Sequence, residues 1–114
     1  MRTLELFAGT QSFSKAVARA DPRNIAITVD ILPKFQPTHV ADILSWDHTV
    51  YPPGHFDVVW CSPPCEQYSR ARTTGGPRDL VAADRNVLRC LELIDYYRPR
   101  VWIIEAFTEA YGGP

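Results

Sequence analysis

Two of the three cysteines lie on either side of a Ser-Pro-Pro turn, in the stretch VVWCSPPCEQYSR that begins at Val58. The apolar run before the turn is typical of a strand buried on both faces of a parallel sheet, and the prolines cannot continue such a strand. Cys65 therefore follows a stiffened turn at a strand end, before a loop that carries Arg70, Arg72 and Arg78. Because the thiolate is the attacking form and positive charge favours it, this position predicts a nucleophilic cysteine.

The other two cysteines, Cys61 and Cys90, are interpreted as small buried apolar residues, as free cysteines often are. A disulfide framework is not expected, because three cysteines cannot all pair and an intracellular chain keeps its thiols reduced. A metal site is not expected either, because His39, His48 and His55 provide no second pair of ligands at a zinc-binding spacing.

Several residues that could bind a ligand or take part in a reaction lie at or near the ends of predicted strands. Gly9 follows the first strand, Asp30 ends the second, Asp42 lies in the third and Glu105 lies in the fifth. Taken singly, the glycine could be an ordinary turn and the aspartates solvated charges. Ligands of parallel sheets bind at the carboxyl ends of the strands, where a glycine admits a ligand and a carboxylate can hold ribose hydroxyls. Together these residues predict a site for a nucleoside-containing cofactor.

Short apolar runs separated by proline and glycine predict the elements that position these residues. The predicted strands are RTLELFAG, NIAITVD, THVADIL, FDVVWCS and RVWIIEAF. One helix is predicted over SFSKAVARA, with Ser12 or Ser14 near its N-cap, and another from about Asp79 to Arg98. The apolar stripe expected on the second helix is Val87, Leu88, Leu91 and Ile94. Alternating strands and helices favour an α/β fold with a parallel, doubly wound sheet.

Composition places the chain among globular proteins. Its 114 residues suit one domain, and 46% hydrophobic with 22% charged residues is far from a disordered composition. The formal net charge of -1 does not indicate a polyanion as partner, although local basic clusters could contact phosphate. No apolar run reaches the roughly 20 residues of a membrane span, and the start lacks a signal peptide's apolar region. No membrane association and a cytoplasmic location are therefore expected.

Four stretches resemble motifs of the DNA cytosine-5 methyltransferases, in that family's order and spacing. They are LFAGTQSFSKA, ADI, SPPCEQYS and WIIE, and they extend over nearly the whole chain. The proline-cysteine turn is the most specific of the four, whereas the glycine turn alone would be weak. The resemblance implies a Rossmann-like methyltransferase sheet with strand order 3-2-1-4-5, truncated before the last strands, in a single partial catalytic domain over residues 1–114.

The resemblance implies S-adenosylmethionine as cofactor and assigns residues to it. Phe7 would lie against the adenine, Gly9 would make room for it, Asp30 would hold the ribose hydroxyls, and Asp42 with Ile43 would contact the adenine. The full set implied for the cofactor is Phe7, Ala8, Gly9, Thr10, Ser12, Asp30, Ile31, Asp42, Ile43, Ser62 and Pro64.

The resemblance also implies a substrate, a cytosine swung out of double-stranded DNA. Cys65 would add to carbon 6 of the ring while Glu105 holds N3 and the exocyclic amine, which makes carbon 5 nucleophilic enough to accept a methyl group. The residues expected to contact DNA are Tyr68, Ser69, Arg70, Arg72 and Arg78.

The chain departs from the family pattern at some positions. A glycine usually stands where this chain has Gln11, asparagine where it has Ala106, and glutamine where it has Glu66, whose charge would raise the pKa of the neighbouring thiol. A target-recognition region and the C-terminal half are expected to be absent. The alternatives are a cofactor-binding module without catalysis, acting with another chain, and methylation of exocyclic amines, which needs an aromatic residue in place of Cys65.

Assembly is a further expectation. Strand order 3-2-1-4-5 would leave the apolar strand from Val101 to Glu105 on an outer edge with unpaired backbone groups. This edge favours a homo-oligomer or a complementing C-terminal chain. The other possibility is that the last nine residues, AFTEAYGGP, fold back over the edge.

Overall fold

The computed structural model describes residues 1–63, 77–106 and 109–113, of which 77–84, 106 and 109–113 are described by their backbone alone. The strands are β1 (Arg2–Leu6), β2 (Ile25–Asp30), β3 (His39–Val40), β4 (Val58–Cys61), β5 (Val101–Ala106) and β6 (Glu109–Gly113). The α-helices are α1 (Ser12–Ala20) and α2 (Pro77–Tyr97). Two short 3-10 helices span Pro33–Phe35 and His48–Val50.

The strands form one sheet in the order β3-β2-β1-β4-β5-β6, in which β1 to β5 are parallel. The predicted α/β class and strand order 3-2-1-4-5 are thereby confirmed. Leu6 at the end of β1 pairs with Val29 of β2 on one side and with Cys61 of β4 on the other. The carboxyl ends of these central strands therefore lie level with one another and form one edge of the sheet.

The third strand is shorter than predicted, because β3 contains only His39 and Val40. The Ala41 amide still donates to the Asp30 carbonyl at 2.9 Å, but the chain then turns, and the Asp42 carbonyl accepts the Ser45 and Trp46 amides. Asp42 consequently lies in the loop after β3 and not within the strand.

The main core lies between the sheet and α2. Leu4, Leu6, Val29, Val59, Cys61 and Ile104 from the strands pack with Cys90, Leu93, Ile94 and Tyr97 from the helix. Cys61 and Cys90 are fully buried, as predicted, and burial raises the pKa of the Cys61 thiol well above its ordinary value.

The predicted apolar stripe of α2 is wrong at two positions. Leu88 is 63% exposed and Leu91 is 42% exposed, whereas Cys90, Leu93, Ile94 and Tyr97 face the core. Apolar residues occur on both faces of this helix, and the spacing alone did not distinguish them. The buried face is the one whose Tyr97 ring packs edge-on against Phe56, at 4.9 Å between ring centroids.

Helix α1 begins at Ser12, which lies next to the N-cap as predicted, although neither Ser12 nor Ser14 is the capping residue. The N-cap residue is Gln11, and its side chain makes no capping hydrogen bond. Instead, the Glu5 carboxylate on β1 accepts the backbone N–H of Ser14 at 3.0 Å. A carboxylate from the neighbouring strand thus satisfies one of the free amides at the start of the helix, which a capping side chain would otherwise do.

The strand from Val101 to Ala106 is not an outer edge. On the side away from β4, this strand pairs with β6 in antiparallel register, with Trp102 opposite Gly113 and Glu105 opposite Ala110. The backbone groups that were expected to be unpaired therefore have partners, and the fold-back of the last residues is the arrangement found. The sheet edge on this side is β6.

No helix within the described part of the chain has the length and apolar character needed to span a bilayer.

Candidate functional site

Two cavities open at the carboxyl edge of the sheet. The carboxylate cavity, of about 400 Å³, is lined by Phe7, Asp30, Ile31, Leu32, Ala41, Asp42, Ile43, Leu44, Ser62, Arg85 and Asn86. The glycine-turn cavity, of about 590 Å³, is lined by Glu5, Phe7, Ala8, Gly9, Thr10, Ser12, Phe13, Ala16, Trp60, Ser62 and Glu105. Phe7 and Ser62 line both, so the two cavities adjoin one another along the ends of the strands.

Asp30 is fixed in the carboxylate cavity by the backbone around it. Its Oδ2 accepts the Gly9 amide at 2.8 Å and its Oδ1 accepts the Leu32 amide at 2.8 Å. Each carboxylate oxygen has a second lone pair, so the group can still accept hydrogen bonds from a ligand. A pair of adjacent hydroxyls, as in a ribose, suits such an oriented carboxylate.

Asp42 lies in the same cavity and is held in a similar way. Its Oδ1 accepts the Leu44 amide at 3.0 Å, and its carbonyl accepts the Trp46 amide at 2.8 Å. The next residue, Ile43, is only 2% exposed. The loop after β3 therefore presents a polar carboxylate beside an apolar anchor.

The turn after β1 has an unusual backbone. Phe7, Gly9 and Gln11 have φ values of 57°, 49° and 62°, in the left-handed region that disfavours residues other than glycine. Gln11 is anchored by its side-chain Nε2, which donates to the Phe35 carbonyl at 2.8 Å. A Cβ atom added at Gly9 would meet no atom within 4 Å, so the cavity side of this turn is open.

These features fit a nucleoside-containing ligand. Ile31, Leu32 and Leu44 on the rim are 59%, 45% and 44% exposed, which gives apolar contact surface for a planar base. Two oriented carboxylates offer acceptors for hydroxyl or amino groups, and the open turn at Gly9 allows the ligand to approach the backbone.

The glycine-turn cavity carries two carboxylates and an aromatic wall. Glu105 on β5 is exposed, and Glu5 on β1 is buried. Burial raises the pKa of Glu5 above its ordinary value, although the hydrogen bond from the Ser14 amide partly offsets this effect. Phe13 of α1 stacks on Trp60 of β4 with ring centroids 4.8 Å apart.

The start of the proline-cysteine turn is tied to β1 and β4. The Ser62 amide donates to the Leu6 carbonyl at 3.2 Å, and the Trp60 indole Nε1 donates to the Ser62 hydroxyl at 2.9 Å. The first described segment ends at Pro63. These two contacts therefore fix the last residues of this segment at Ser62, which lines both cavities.

Some of the predicted site residues lie outside the described residues. They are Pro64, Cys65, Tyr68, Ser69, Arg70 and Arg72. Arg78 belongs to the first turn of α2 and is described by its backbone alone. The remaining predicted positions all line one or both cavities.

Sequence reasoning missed three polar residues that line these cavities. Arg85 and Asn86 of α2 line the carboxylate cavity, and Glu5 lines the glycine-turn cavity. The polar positions Arg85 and Asn86 gave no motif signal. Glu5 carried a signal of its own, because a charged residue between Leu4 and Leu6 of a strand needs a partner when it is buried.

Comparisons with known proteins agree with this architecture. The chain is 37% identical over 117 aligned positions to a probable DNA (cytosine-5)-methyltransferase of Frog virus 3 (isolate Goorha). The alignment covers 92% of the chain and 53% of that protein, so the chain spans about half the length of the relative it matches. No protein-family model matches the chain.

A solved structure supports the fold. The chain is similar to the sugar N-methyltransferase KedS8 from Streptoalloteichus, with a TM-score of 0.57 over 93% of this chain and 40% of that one. At 19% identity this likeness supports the fold alone. The viral relative confirms the resemblance that the motifs predicted: nearly the whole chain is similar to about half of a probable DNA (cytosine-5)-methyltransferase.

Proposed function

We propose that this chain is the part of a DNA cytosine-5 methyltransferase that binds S-adenosylmethionine and carries the catalytic nucleophile. The observation that supports it best is the adjacency of the two cavities. One contains the strand-end carboxylates Asp30 and Asp42, and the other contains Glu105 beside the turn that leads to Cys65. In this proposal the first cavity takes the nucleoside of the cofactor, and the second takes the reacting groups.

Residues of the carboxylate cavity would hold the cofactor, which supplies a methyl group when it is bound. Asp30 would accept the ribose hydroxyls through the lone pairs that Gly9 and Leu32 leave free. Asp42 and Ile43 would contact the adenine edge, with Phe7 against its face. Ala8, Thr10 and Ser12 line the glycine-turn cavity and would contact the rest of the cofactor.

Cys65 and Glu105 would act on the cytosine. The Cys65 thiolate forms a bond to carbon 6, and the ring electrons shift toward carbon 5 while Glu105 holds N3 in its protonated form. Transfer of the methyl group to carbon 5 would leave the demethylated cofactor. A base would then take the carbon 5 proton, and the electron pair of that C–H bond would restore the ring as the Cys65 thiolate leaves. A stacked base is out of reach of both residues, so the cytosine must leave the helix.

DNA would be contacted by the loop after the proline-cysteine turn. Its residues Tyr68, Ser69, Arg70 and Arg72, with Arg78 at the start of α2, combine an aromatic ring with positive charge, which suits phosphates and an unstacked base. The viral relative is almost twice as long as the match. We therefore include in the proposal a second polypeptide or segment that completes the enzyme.

The covalent intermediate provides the test. Duplex DNA containing 5-fluorocytosine traps the adduct. A base can remove the hydrogen on carbon 5 as a proton, but it cannot remove fluorine in this way, so the elimination that releases the thiolate is blocked. The chain is incubated with this DNA and cofactor, alone and with a polypeptide carrying the remaining half of the Frog virus 3 relative. We expect a denaturant-stable adduct that Cys65→Ser abolishes and that Glu105→Gln slows.

Two results would count against the proposal. An adduct that survives Cys65→Ser would assign the nucleophile to another residue. If no adduct forms in either mixture although the cofactor binds, the catalytic assignment fails and a cofactor-binding module is left.

A further inference from the structure

Arg89 joins α2 to the loop that carries Asp42. Its Nε donates to the Ile43 carbonyl at 2.9 Å, and its Nη2 donates to the Trp46 carbonyl at 2.8 Å. Although it is charged, only 11% of its side chain is exposed. The two carbonyls are separated from it by more than 40 residues of sequence, so these are tertiary contacts and not part of the helix.

The remaining polar contacts of Arg89 stabilise its charge in this position. Nη1 donates to Glu92 Oε1 at 2.9 Å, and Nη2 lies 3.3 Å from His48 Nδ1. Because a guanidinium can only donate, Nδ1 of His48 accepts in this contact. The planar fork is therefore oriented by several partners at once, which a single ammonium group would not achieve.

The loop fixed by Arg89 is the one that forms a wall of the carboxylate cavity. Asp42, Ile43 and Leu44 line the cavity, and the Ile43 carbonyl is held by the guanidinium. One turn earlier on α2, Arg85 and Asn86 line the same cavity. Arg89 thus connects two walls of the cavity without lining it.

We propose that Arg89 is a positioning residue for the cofactor: it holds the loop from Asp42 to Trp46 against α2 in the orientation that the adenosine requires. This inference rests on the proposed function, because it concerns the same cavity. Arg89 does not touch the ligand. Its effect is transmitted through the Ile43 and Trp46 carbonyls, whose positions set those of the Asp42 carboxylate and the Ile43 side chain.

The test compares ligand affinity with stability. Calorimetry measures the dissociation constants of S-adenosylhomocysteine and of adenosine for the wild type, Arg89→Met, Arg89→Lys and Glu92→Gln. All measurements are made at a temperature at which circular dichroism shows each variant to be folded. Glu92→Gln is the matched control, because it removes the exposed ion pair and leaves both loop contacts in place.

We expect Arg89→Met to weaken both ligands about fivefold or more, within the range of coupling between distinct groups. Arg89→Lys should be intermediate, because one ammonium can reach one carbonyl but cannot form the two-pronged contact. Glu92→Gln should bind like the wild type. A residue that only stabilised the fold would lower the melting temperature and leave the affinity of the folded protein unchanged.

The outcomes separate this inference from the proposed function. If the wild type binds neither ligand, the proposed function fails and the role of Arg89 falls with it. If the wild type binds and Arg89→Met binds equally well, only the role of Arg89 is overturned. Should Arg89→Met not fold, Arg89→Lys decides, because unchanged affinity in that variant contradicts a dependence on the forked contact.

Discussion

The Asp30 carboxylate accepts the backbone N–H of Gly9 over 2.8 Å, which joins the end of β2 to the turn after β1. The second oxygen of the same carboxylate accepts the Leu32 amide. One side chain therefore fixes two backbone segments at the edge of the sheet. In the proposed site, the same group also holds the ribose.

Replacing Asp30 by asparagine tests this double role. Asparagine has only one acceptor oxygen. Its NH2 group would therefore face one of the two backbone N–H groups, which would lose its hydrogen bond. We expect the free energy of unfolding to fall by about 1–3 kcal/mol, as for loss of a hydrogen bond to a charged group. Chemical denaturation measures this change, with Asp21→Asn as the control, because Asp21 pairs with Arg23 at the surface. Equal small changes in both variants would contradict the structural role.

Gly9 and Gly54 form a matched pair for testing the open turn. Both have positive φ values, 49° and 81°, and neither has an atom within 4 Å of an added Cβ. Gly54 lines neither of the two cavities described above. Alanine at either position should cost about 1–2 kcal/mol of stability because of the left-handed backbone. Only Gly9→Ala should also weaken binding of S-adenosylhomocysteine, measured by calorimetry, because its methyl group would occupy cavity space. Equal affinities in both variants would place the ligand away from the turn.

The buried Glu5 carboxylate predicts a specific pH dependence. Its folded pKa is raised above the ordinary 4.5 by burial, so the folded state binds the proton more tightly than the unfolded state. This contribution to stability is fully present below pH 4.5 and is lost as the pH rises through the folded pKa. Glu5→Gln lacks the titrating group and keeps an oxygen for the Ser14 amide.

The measured quantity is the difference in unfolding free energy between wild type and Glu5→Gln across this pH range. Wild type should lose stability relative to the variant as the pH rises above 4.5. A substitution of an exposed side chain that does not titrate, Val50→Ala, provides the control and should give a flat difference. A flat difference for Glu5→Gln as well would show that its pKa is the same in both states.

The positions of the site residues could be predicted where a residue with a suitable side chain or backbone lies at the carboxyl end of a clearly predicted strand. Gly9, Asp30 and Ser62 lie at or just after the ends of strands whose apolar runs and stop signals are clear, and parallel pairing brings such ends to one edge. Glu105 could be assigned to that edge in the same way. These positions depend on local pattern and on a general rule for parallel sheets.

Other features depend on tertiary contacts that the pattern does not encode. Asn86 lines the cavity, and Arg89 contacts the loop beside it, only because α2 packs against the loop after β3. The buried face of α2 was predicted wrongly at Leu88, because apolar residues occur on both sides of that helix. The pairing of β6 was the less favoured expectation, since the segment EAYGG contains two glycines and has little intrinsic preference for a strand.

Binding of S-adenosylhomocysteine to the 114-residue chain tests the central claim most directly, because it needs no second polypeptide and no DNA. Isothermal calorimetry on wild type, Asp42→Ala and Asp95→Ala makes the measurement, with the exposed Asp95 on α2 as the control. We predict one-to-one binding to wild type and Asp95→Ala with similar dissociation constants. The dissociation constant for Asp42→Ala should be about tenfold higher or more, as expected when a charged hydrogen-bond acceptor is removed. Equal binding by all three proteins would remove Asp42 from the site, and no binding by the folded wild type would contradict the assignment of this chain as a cofactor-binding methyltransferase domain.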